Sequence, residues 1–173
     1  RIIPLFQAAR TTQVPFHIET RDTADLYWHL IGCLVGSHAS ELCERLLIGR
    51  EMTYSMVSAA ELVQIGKDLA EMSPSQITAR LRGVPEIALL AAWLVLPEAA
   101  RNIIERFINE WRHVKTKTDG QVLLSWGLPP GPRYKSILDR SLTARLDGEI
   151  LSDADEESLL QSLLDKDERN DNV

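Results

Sequence analysis

The chain has 173 residues, of which 45% are hydrophobic, 25% are charged and only 6% are aromatic. This length suits one domain or two small ones, and this composition excludes a globally disordered chain. No apolar run approaches the roughly 20 residues that a bilayer requires, so we expect no membrane partner. There is no recognisable signal peptide and the first residue is Arg1, so we expect a fragment of a longer protein.

The charge is unevenly distributed along the chain. The net charge of −6 comes from 19 Lys and Arg against 25 Asp and Glu. Residues 150–173 contain eight acidic and two basic residues and so carry the whole net charge, whereas residues 101–145 contain nine basic and four acidic residues. An acidic protein does not normally indicate a nucleic-acid partner. A basic segment followed by an acidic tail is a charge asymmetry that leaves such a partner as an alternative.

The two cysteines, Cys33 and Cys43, do not make a disulfide framework in a chain of this size, which favours a cytoplasmic location. Together with His29 and His38 they form a series with some features of a zinc site, because His29 and Cys33 would share a helical face. The spacing matches no known zinc site, and both thiols lie among leucines, where free cysteine packs as a small hydrophobe. We therefore expect core packing and no metal ligation, with zinc as the alternative.

Residues 1–20 show no helical hydrophobic period. Pro4 and Pro15 interrupt a stretch that contains several β-favouring residues. We therefore expect an irregular or extended lead-in, cut from a larger structure.

From residue 22 onward, capping residues and apolar spacing predict consecutive helices. Leucines four residues apart indicate a helix that Asp22 or Thr23 caps and that Gly36 ends. The next helix is predicted over about residues 40–48, and its inward residues are Leu42, Leu46 and Leu47. Further helices are predicted to begin near residues 53 or 58, 73, 85, 97, 119, 132 and 152.

These signals predict an all-α fold, an irregular multi-helix bundle of about seven to nine short helices with almost no strand. The expected organisation is the lead-in over residues 1–20, a helical domain over 21–150, an acidic C-terminal helix over 151–165 and a flexible tail over 166–173. No sequence period supports a helical repeat.

Catalytic motifs are absent from the sequence. Asp153 and Asp155 resemble the carboxylate pair that binds two metal ions in nucleotide transfer, but no glycine-rich phosphate loop lies near them. Acidic residues in a first helical turn are ordinary partners of the helix dipole, and we favour that interpretation. There is no nucleophile elbow, zinc-protease, Walker or dinucleotide motif, so the chain itself is not expected to be a catalytic unit.

Three aromatic residues recur on helical faces, namely Trp93, Phe107 and Trp111. Such residues bury large apolar areas, so core packing is their expected role. Stacking on RNA bases is the alternative.

Residues 118–150 predict a short helix that ends at Gly127, a rigid proline-containing turn, and then a longer helix. Gly131 and Pro132 place the backbone N–H groups of Arg133, Tyr134 and Lys135 near the start of that helix, where a phosphate is attracted. The alternative is a helix–turn–helix corner with solvated basic residues, which physical reasoning alone favours.

A pattern of glycines, prolines and turn-flanking residues extends across residues 73–150. Its members are Pro74, Ser75, Leu81, Arg82, Gly83, Glu86, Gly120, Leu123, Gly127, Pro130, Gly131, Pro132, Ile137, Leu138, Leu146, Asp147, Gly148 and Glu149. The pattern resembles the C-terminal body and tail region of bacterial tRNA nucleotidyltransferases and poly(A) polymerases, most closely the branch associated with CBS and DHH-type domains. Val122 departs from the family, which usually has Asp there, and Asp119 is a candidate replacement as a helix cap.

The resemblance implies a tRNA-holding helical domain whose partner is an N-terminal catalytic head of the same protein. In the family that head binds Mg²⁺ and ATP or CTP, and no cofactor is implied for the residues of this chain. The implied partner is the acceptor and TΨC region of tRNA. The basic residues proposed to contact its phosphates are Arg112, Lys115, Lys117, Arg133, Lys135 and Arg140, which cluster around the motif. The alternative is a structural or homo-oligomerisation domain that does not contact RNA.

Overall fold

The computed structural model describes residues 2–17, 22–128 and 130–170, and for Ile2 and residues 165–170 it describes the backbone alone. The described residues are mostly helical and contain no strand, which confirms the predicted all-α fold. None of the described helices is both long and apolar enough to cross a membrane. The α-helices are α1 (Ile2–Thr11), α2 (Thr23–Val35), α3 (Ala39–Arg45), α4 (Arg50–Ile65), α5 (Pro74–Leu81), α6 (Glu86–Val95), α7 (Glu98–Asn109), α8 (Gly120–Ser125), α9 (Pro132–Leu146) and α10 (Asp153–Asn170), with 3₁₀ turns at Gly36–His38, Asp68–Glu71 and Trp111–His113.

The first half of the predicted irregular lead-in over residues 1–20 is instead helix α1. Pro4 lies in the first turn of this helix, where a backbone N–H has no intrahelical acceptor and a proline costs little. The ring of Phe6 lies 4.6 Å from the ring of Tyr27 on α2, and this tilted aromatic contact anchors the helix. Residues 1 and 18–20 lie outside the described part of the chain.

The C-terminal helix is longer than the predicted range of residues 151–165. Helix α10 runs from Asp153 to Asn170, so most of the predicted flexible tail over residues 166–173 has a helical backbone. No glycine or proline interrupts this stretch, which explains why the helix continues. The last three residues lie outside the described part of the chain.

The chain forms two compact units. Unit 1 consists of Arg1–Met72 and Ala79–Asn109, and unit 2 consists of Ser73–Thr78 and Glu110–Val173. The helical domain predicted over residues 21–150 is thus divided between them.

Unit 1 has a core of three mutually packed helices. Helix α2 packs against α4 and α6, and α4 also packs against α6. Leu30, Met56 and Leu89 of these helices are fully buried. The ring of Phe16 meets the ring of Trp93 edge-on at 5.7 Å, so the chain before α2 also covers this core.

The two C-terminal leucines of the second predicted helix point outward instead of inward. Helix α3 ends at Arg45, and Leu47 adopts a left-handed backbone with φ 54°. The N–H of Ile48 then donates to the carbonyl of Cys43, a turn that commonly ends a helix. This turn leaves Leu46 half exposed and the side chain of Leu47 92% exposed.

His29 is buried in the core of unit 1, and two hydrogen bonds hold its ring in place. Its Nδ1 lies 2.6 Å from the carbonyl oxygen of Asp25, and its Nε2 lies 2.6 Å from Oγ of Ser55. Because a carbonyl oxygen only accepts, Nδ1–H donates to it and Nε2 accepts from the serine hydroxyl. Burial lowers the pKa of His29, which favours this neutral imidazole.

The other three members of the His/Cys series have separate environments. Sγ of Cys43 contacts Sδ of Met56 at 3.8 Å. Cys33 is buried, and the loss of solvation raises the pKa of its thiol to about 12. His38 is exposed and lies 3.7 Å from Glu41. Among the described residues, no three metal-ligating side chains converge.

Unit 2 has a smaller core between α8, α9 and α10. Leu123, Ile137 and Leu160, one from each helix, are buried together. The partly buried residues around them are Leu128, Tyr134, Leu138 and Leu164.

A buried carboxylate holds α10 to the loop that precedes α8. Glu156 is 1% exposed, and its two oxygens accept hydrogen bonds from the backbone N–H groups of Thr118 at 2.8 Å and Lys117 at 3.3 Å. Nη2 of Arg145 on α9 lies 3.2 Å from the same carboxylate. A buried carboxylate is tolerated only when such partners compensate its lost hydration.

We expect the stability of the chain to fall when the pH is lowered from 7.5 to 5.5. Below about pH 6.5 the unfolded chain takes up a proton at His29 that the folded chain does not, so the free energy of unfolding decreases by at most about 1.4 kcal/mol per pH unit. Urea unfolding at each pH measures this slope. The variant His29→Gln should flatten it, and His38→Gln, which removes an exposed histidine, is the matched control. An equal slope in all three proteins contradicts the prediction.

The substitution Glu156→Ala should destabilise the chain by about 3 kcal/mol, because two buried N–H groups and Arg145 lose their shared acceptor. Chemical unfolding followed by circular dichroism measures the effect. The neighbouring Glu157→Ala provides a matched control, since Glu157 is exposed and its removal should cost less than about 1 kcal/mol. Similar small effects of the two substitutions would refute the structural role of Glu156.

Candidate RNA-binding surface

The structure brings the six basic residues that the sequence analysis proposes as RNA contacts into unit 2. Three of them lie in the turn and loop before α8, and three lie on α9. They are Arg112, Lys115 and Lys117 in the first group and Arg133, Lys135 and Arg140 in the second. Lys117 and Arg140 have carboxylate partners, whereas Lys115 and Lys135 have none among the described residues.

Lys117 and Arg140 pair with carboxylates. Nζ of Lys117 lies 3.6 Å from Asp153 and 3.9 Å from Glu157, both on α10. Nη2 of Arg140 lies 2.5 Å from Glu149, just after the end of α9. An RNA phosphate would have to displace these carboxylates, so both side chains are less available for binding phosphate than unpaired bases are.

Arg145 is a basic residue that the sequence analysis did not select. It donates from Nη1 to the carbonyl of Lys115 at 3.2 Å and from Nη2 to Asp153 at 2.9 Å, in addition to its contact with Glu156. Arg145 therefore joins α9 to α10 and to the loop before α8. The basic segment and the acidic tail are internal partners, which the sequence pattern alone did not indicate.

The carboxylate pair Asp153 and Asp155 has local partners at the start of α10. The hydrogen bond from Arg145 holds the pKa of Asp153 below its usual value. Asp155 accepts hydrogen bonds from the hydroxyl and backbone N–H of Ser152 and from the N–H of Leu151, and these bonds lower its pKa. Together with the bond from Asp155 N–H to Ser152 Oγ, they form a capping box, as the helix-start interpretation requires.

The bases at the start of α9 lie in a segment without acidic residues. Residues 120–138 contain no Asp or Glu, and their two basic residues are Arg133 and Lys135, both exposed. Lys115 is also exposed, and among the described residues neither it nor Lys135 has a carboxylate within ion-pair distance. Lys115 and Lys135 are therefore accessible positive charges.

Three motif glycines have different local roles. Gly127 has φ 84° at the end of α8, and Gly148 has φ 76° after α9, so both occupy the left-handed backbone region that favours glycine. Gly120 begins α8, where an added Cβ would only touch the ring of Tyr134 at about 3.6 Å. Asp119 caps α8 by accepting from the N–H groups of Gln121 and Val122, which confirms it as the cap.

The Pro130-Gly131-Pro132 segment forms the start of α9. Gly131 is the extended N-cap, and Pro132 occupies the first turn, where its missing N–H is not needed. Gly131 supplies no side-chain acceptor to the helix. The N–H of Tyr134 donates to the carbonyl of Gly131 at 3.0 Å, so that amide is not available to a phosphate. Pro129 lies outside the described residues.

Asp147 joins two distant parts of the sequence motif within unit 2. Its carboxylate accepts from the N–H of Ser75 at 2.8 Å and from the hydroxyls of Ser75 at 2.7 Å and Ser73 at 3.3 Å. It thereby caps the beginning of α5. Asp147 belongs to the sequence pattern, but no local pattern indicates its partners, because they lie more than 70 residues earlier in the chain.

The three aromatic residues for which core packing was expected are all buried. Trp93 is 5%, Phe107 is 4% and Trp111 is 7% exposed. The indole N–H of Trp93 donates to Glu105, and the guanidinium of Arg101 lies 5.5 Å from the Trp93 ring centroid. Their expected role in the core is confirmed.

No family model matches this sequence, and no solved structure matches it. It is similar to an A-adding tRNA nucleotidyltransferase from Geobacter sulfurreducens, with 37% identity over 86 residues. The matched part covers 49% of this chain and only 10% of the length of that protein. This partial match supports a relationship between the chain and tRNA nucleotidyltransferases.

Proposed function

We propose that this chain is a non-catalytic, tRNA-holding helical domain of a tRNA 3′-end nucleotidyltransferase. The observation that carries the proposal is the partial match to an A-adding tRNA nucleotidyltransferase. Among the CCA-adding, A-adding and poly(A)-polymerising members that the resemblance allows, this relative favours the A-adding kind. The CBS- and DHH-associated branch remains part of the proposal. So does a cytoplasmic location, where the tRNA substrate would be met.

The catalytic chemistry is assigned to a head domain that is not part of this chain. Mg²⁺ and ATP or CTP would bind there, since the carboxylates that resemble a metal pair here serve α10 and its basic partners. The residues of this chain would hold the tRNA while the head acts on its 3′ end.

The proposed mechanism is electrostatic docking of the tRNA backbone on the exposed bases of unit 2. Arg133 and Lys135 at the start of α9 are the principal contacts, because both are exposed and, among the described residues, Lys135 has no carboxylate within ion-pair distance. Lys115 adds charge in the loop before α8, and Arg112 lies in the preceding turn. Contacts to phosphates supply affinity without sequence readout, which suits a domain that must hold many different tRNAs.

The double substitution Arg133→Ala and Lys135→Ala should weaken tRNA binding and flatten its salt dependence. Each lost phosphate contact lowers the slope of log K against log salt by about 0.9, so the slope should decrease by roughly two. Filter binding or fluorescence anisotropy at several salt concentrations measures both quantities. The matched control is Arg50→Ala with Lys67→Ala, which removes two exposed bases from unit 1 and should leave the slope unchanged.

A second experiment tests the internal pairing of the remaining bases. Lys117→Ala with Arg140→Ala should change the salt slope by less than Lys115→Ala with Lys135→Ala, because carboxylates already neutralise Lys117 and Arg140. An equal loss of slope would mean that RNA displaces the carboxylates and that all four bases contact phosphate.

Incubation of the chain with tRNA, Mg²⁺ and radiolabelled ATP or CTP should give no incorporation into the RNA. The physical reason is the absence of a metal-binding carboxylate pair beside a phosphate-binding loop in this sequence. Incorporation above the level of a heat-denatured sample would contradict the assignment of catalysis to a separate head.

The alternative function is a structural or oligomerisation domain. The observation that favours it is the exposure of Leu46 and Leu47 on unit 1, because exposed leucines side by side can mediate contact between copies. Sedimentation of the chain, combined with a gel shift on tRNA, distinguishes the two functions. A stable dimer that does not shift tRNA would support the alternative.

A further inference from the structure

One tryptophan of unit 2 is exposed although its size favours burial. The indole of Trp126 at the end of α8 is 38% exposed, whereas Trp93 and Trp111 are nearly completely buried. The only other tryptophan with comparable exposure is Trp28 on α2 of unit 1, also at 38%. The tryptophans named above as alternative base-stacking residues, Trp93 and Trp111, are the buried ones.

The backbone around Trp126 is held at several points. The N–H of Trp126 donates to the carbonyls of Val122 and Leu124, and Gly127 with its positive φ turns the chain out of α8. The next residue, Leu128, donates its N–H to the carbonyl of Leu123 at 3.2 Å. A side chain attached to such a fixed turn loses little conformational entropy when a ligand packs on it.

A hydrogen bond ties this turn to the basic start of α9. The hydroxyl of Tyr134 donates to the carbonyl of Leu128 at 2.6 Å. Tyr134 lies between Arg133 and Lys135 in the first turn of α9. Its partner, the carbonyl of Leu128, is two residues after Trp126 in the chain. The whole segment from residue 120 to residue 138 lacks acidic residues.

An exposed aromatic ring on a turn that a hydrogen bond joins to a basic helix start is a combination suited to unpaired nucleotides. Bases of single-stranded RNA stack on aromatic rings while Lys and Arg contact the adjoining phosphates. A base-paired helix would offer only its backbone and groove edges to such a surface, so it would leave the indole without a partner.

We propose that Trp126 is a stacking platform for an unpaired nucleobase of RNA whose phosphates contact Arg133 and Lys135. The proposal rests on the RNA-holding function above and deepens it by naming the chemical form of RNA that unit 2 recognises. It predicts that part of the free energy of binding single-stranded RNA to this unit does not depend on salt, in addition to the electrostatic part.

The test measures binding of a fluorescein-labelled oligoadenylate and of tRNA to the chain and three variants. Trp126→Leu keeps an apolar side chain but removes the aromatic face, and it should weaken oligoadenylate binding roughly 5- to 100-fold with an unchanged salt slope. Trp126→Tyr restores an aromatic face and should recover most of the affinity. Trp28→Leu removes an equally exposed tryptophan from unit 1 and should have no effect. Circular dichroism verifies that each variant is folded.

The outcomes separate this inference from the proposed function. If Trp126→Leu binds oligoadenylate as tightly as the unchanged chain while Arg133→Ala with Lys135→Ala weakens tRNA binding, the stacking role is overturned and the RNA-holding function stands. Equal weakening by Trp126→Leu and Trp126→Tyr also overturns it, since an aromatic face would then be irrelevant. If the unchanged chain binds neither RNA, both proposals are overturned. If Trp126→Leu abolishes self-association and leaves RNA binding intact, the indole contacts protein and the stacking role is again overturned.

Discussion

The buried carboxylate of Glu156 is the interaction on which the structure of unit 2 depends. A charged group with 1% exposure is tolerated only because two backbone N–H groups and Arg145 surround it. The donors belong to Lys117 and Thr118, directly before Asp119, which caps α8. The contacts of α10 therefore fix the loop directly before α8. The turn at Gly127, which leads to α9, follows the end of α8. The one buried carboxylate of the acidic helix α10 thus connects it to α9 and to the loop before α8.

This arrangement changes how the net charge of −6 should be interpreted. Part of the acidic tail neutralises Lys117 and Arg145 inside unit 2 instead of repelling nucleic acid from it. Two exposed bases, Arg133 and Lys135, lie at the opposite end of α9 from Arg145, in a stretch with no acidic residue from 120 to 138, and exposed Lys115 lies in the loop before α8. Because exposed charges are screened beyond about 8–10 Å at physiological salt, this local excess governs encounter with a phosphate more than the net charge of the chain.

Several helix starts that depend on neighbouring residues were predicted, but the start predicted near residue 53 or 58 is wrong, because α4 already begins at Arg50. The capping boxes at Ser73 with Gln76 and at Ser152 with Asp155 form as the spacing indicates, and so does the cap at Asp119. Helix α1 was missed because a proline in a first turn resembles a proline in a loop when only composition is considered. The contacts of Glu156 and Asp147 could not be predicted, since their partners lie about 40 and 70 residues away and leave no local pattern. The same holds for Trp126, whose exposure depends on how three helices pack.

The residues that carry the family resemblance are mostly structural in this chain. Gly127 and Gly148 supply left-handed turns, Asp147 caps α5, and Glu149 holds Arg140. A shared pattern of this kind specifies the fold of unit 2, because each of these roles is met by backbone geometry or an internal contact. The RNA binding that we propose depends instead on exposed side chains outside those contacts, such as Lys135 and Trp126. On this proposal fold and ligand are separable: substitutions at the surface residues would alter binding without altering the turns, and the two classes of variant would report on different physical properties.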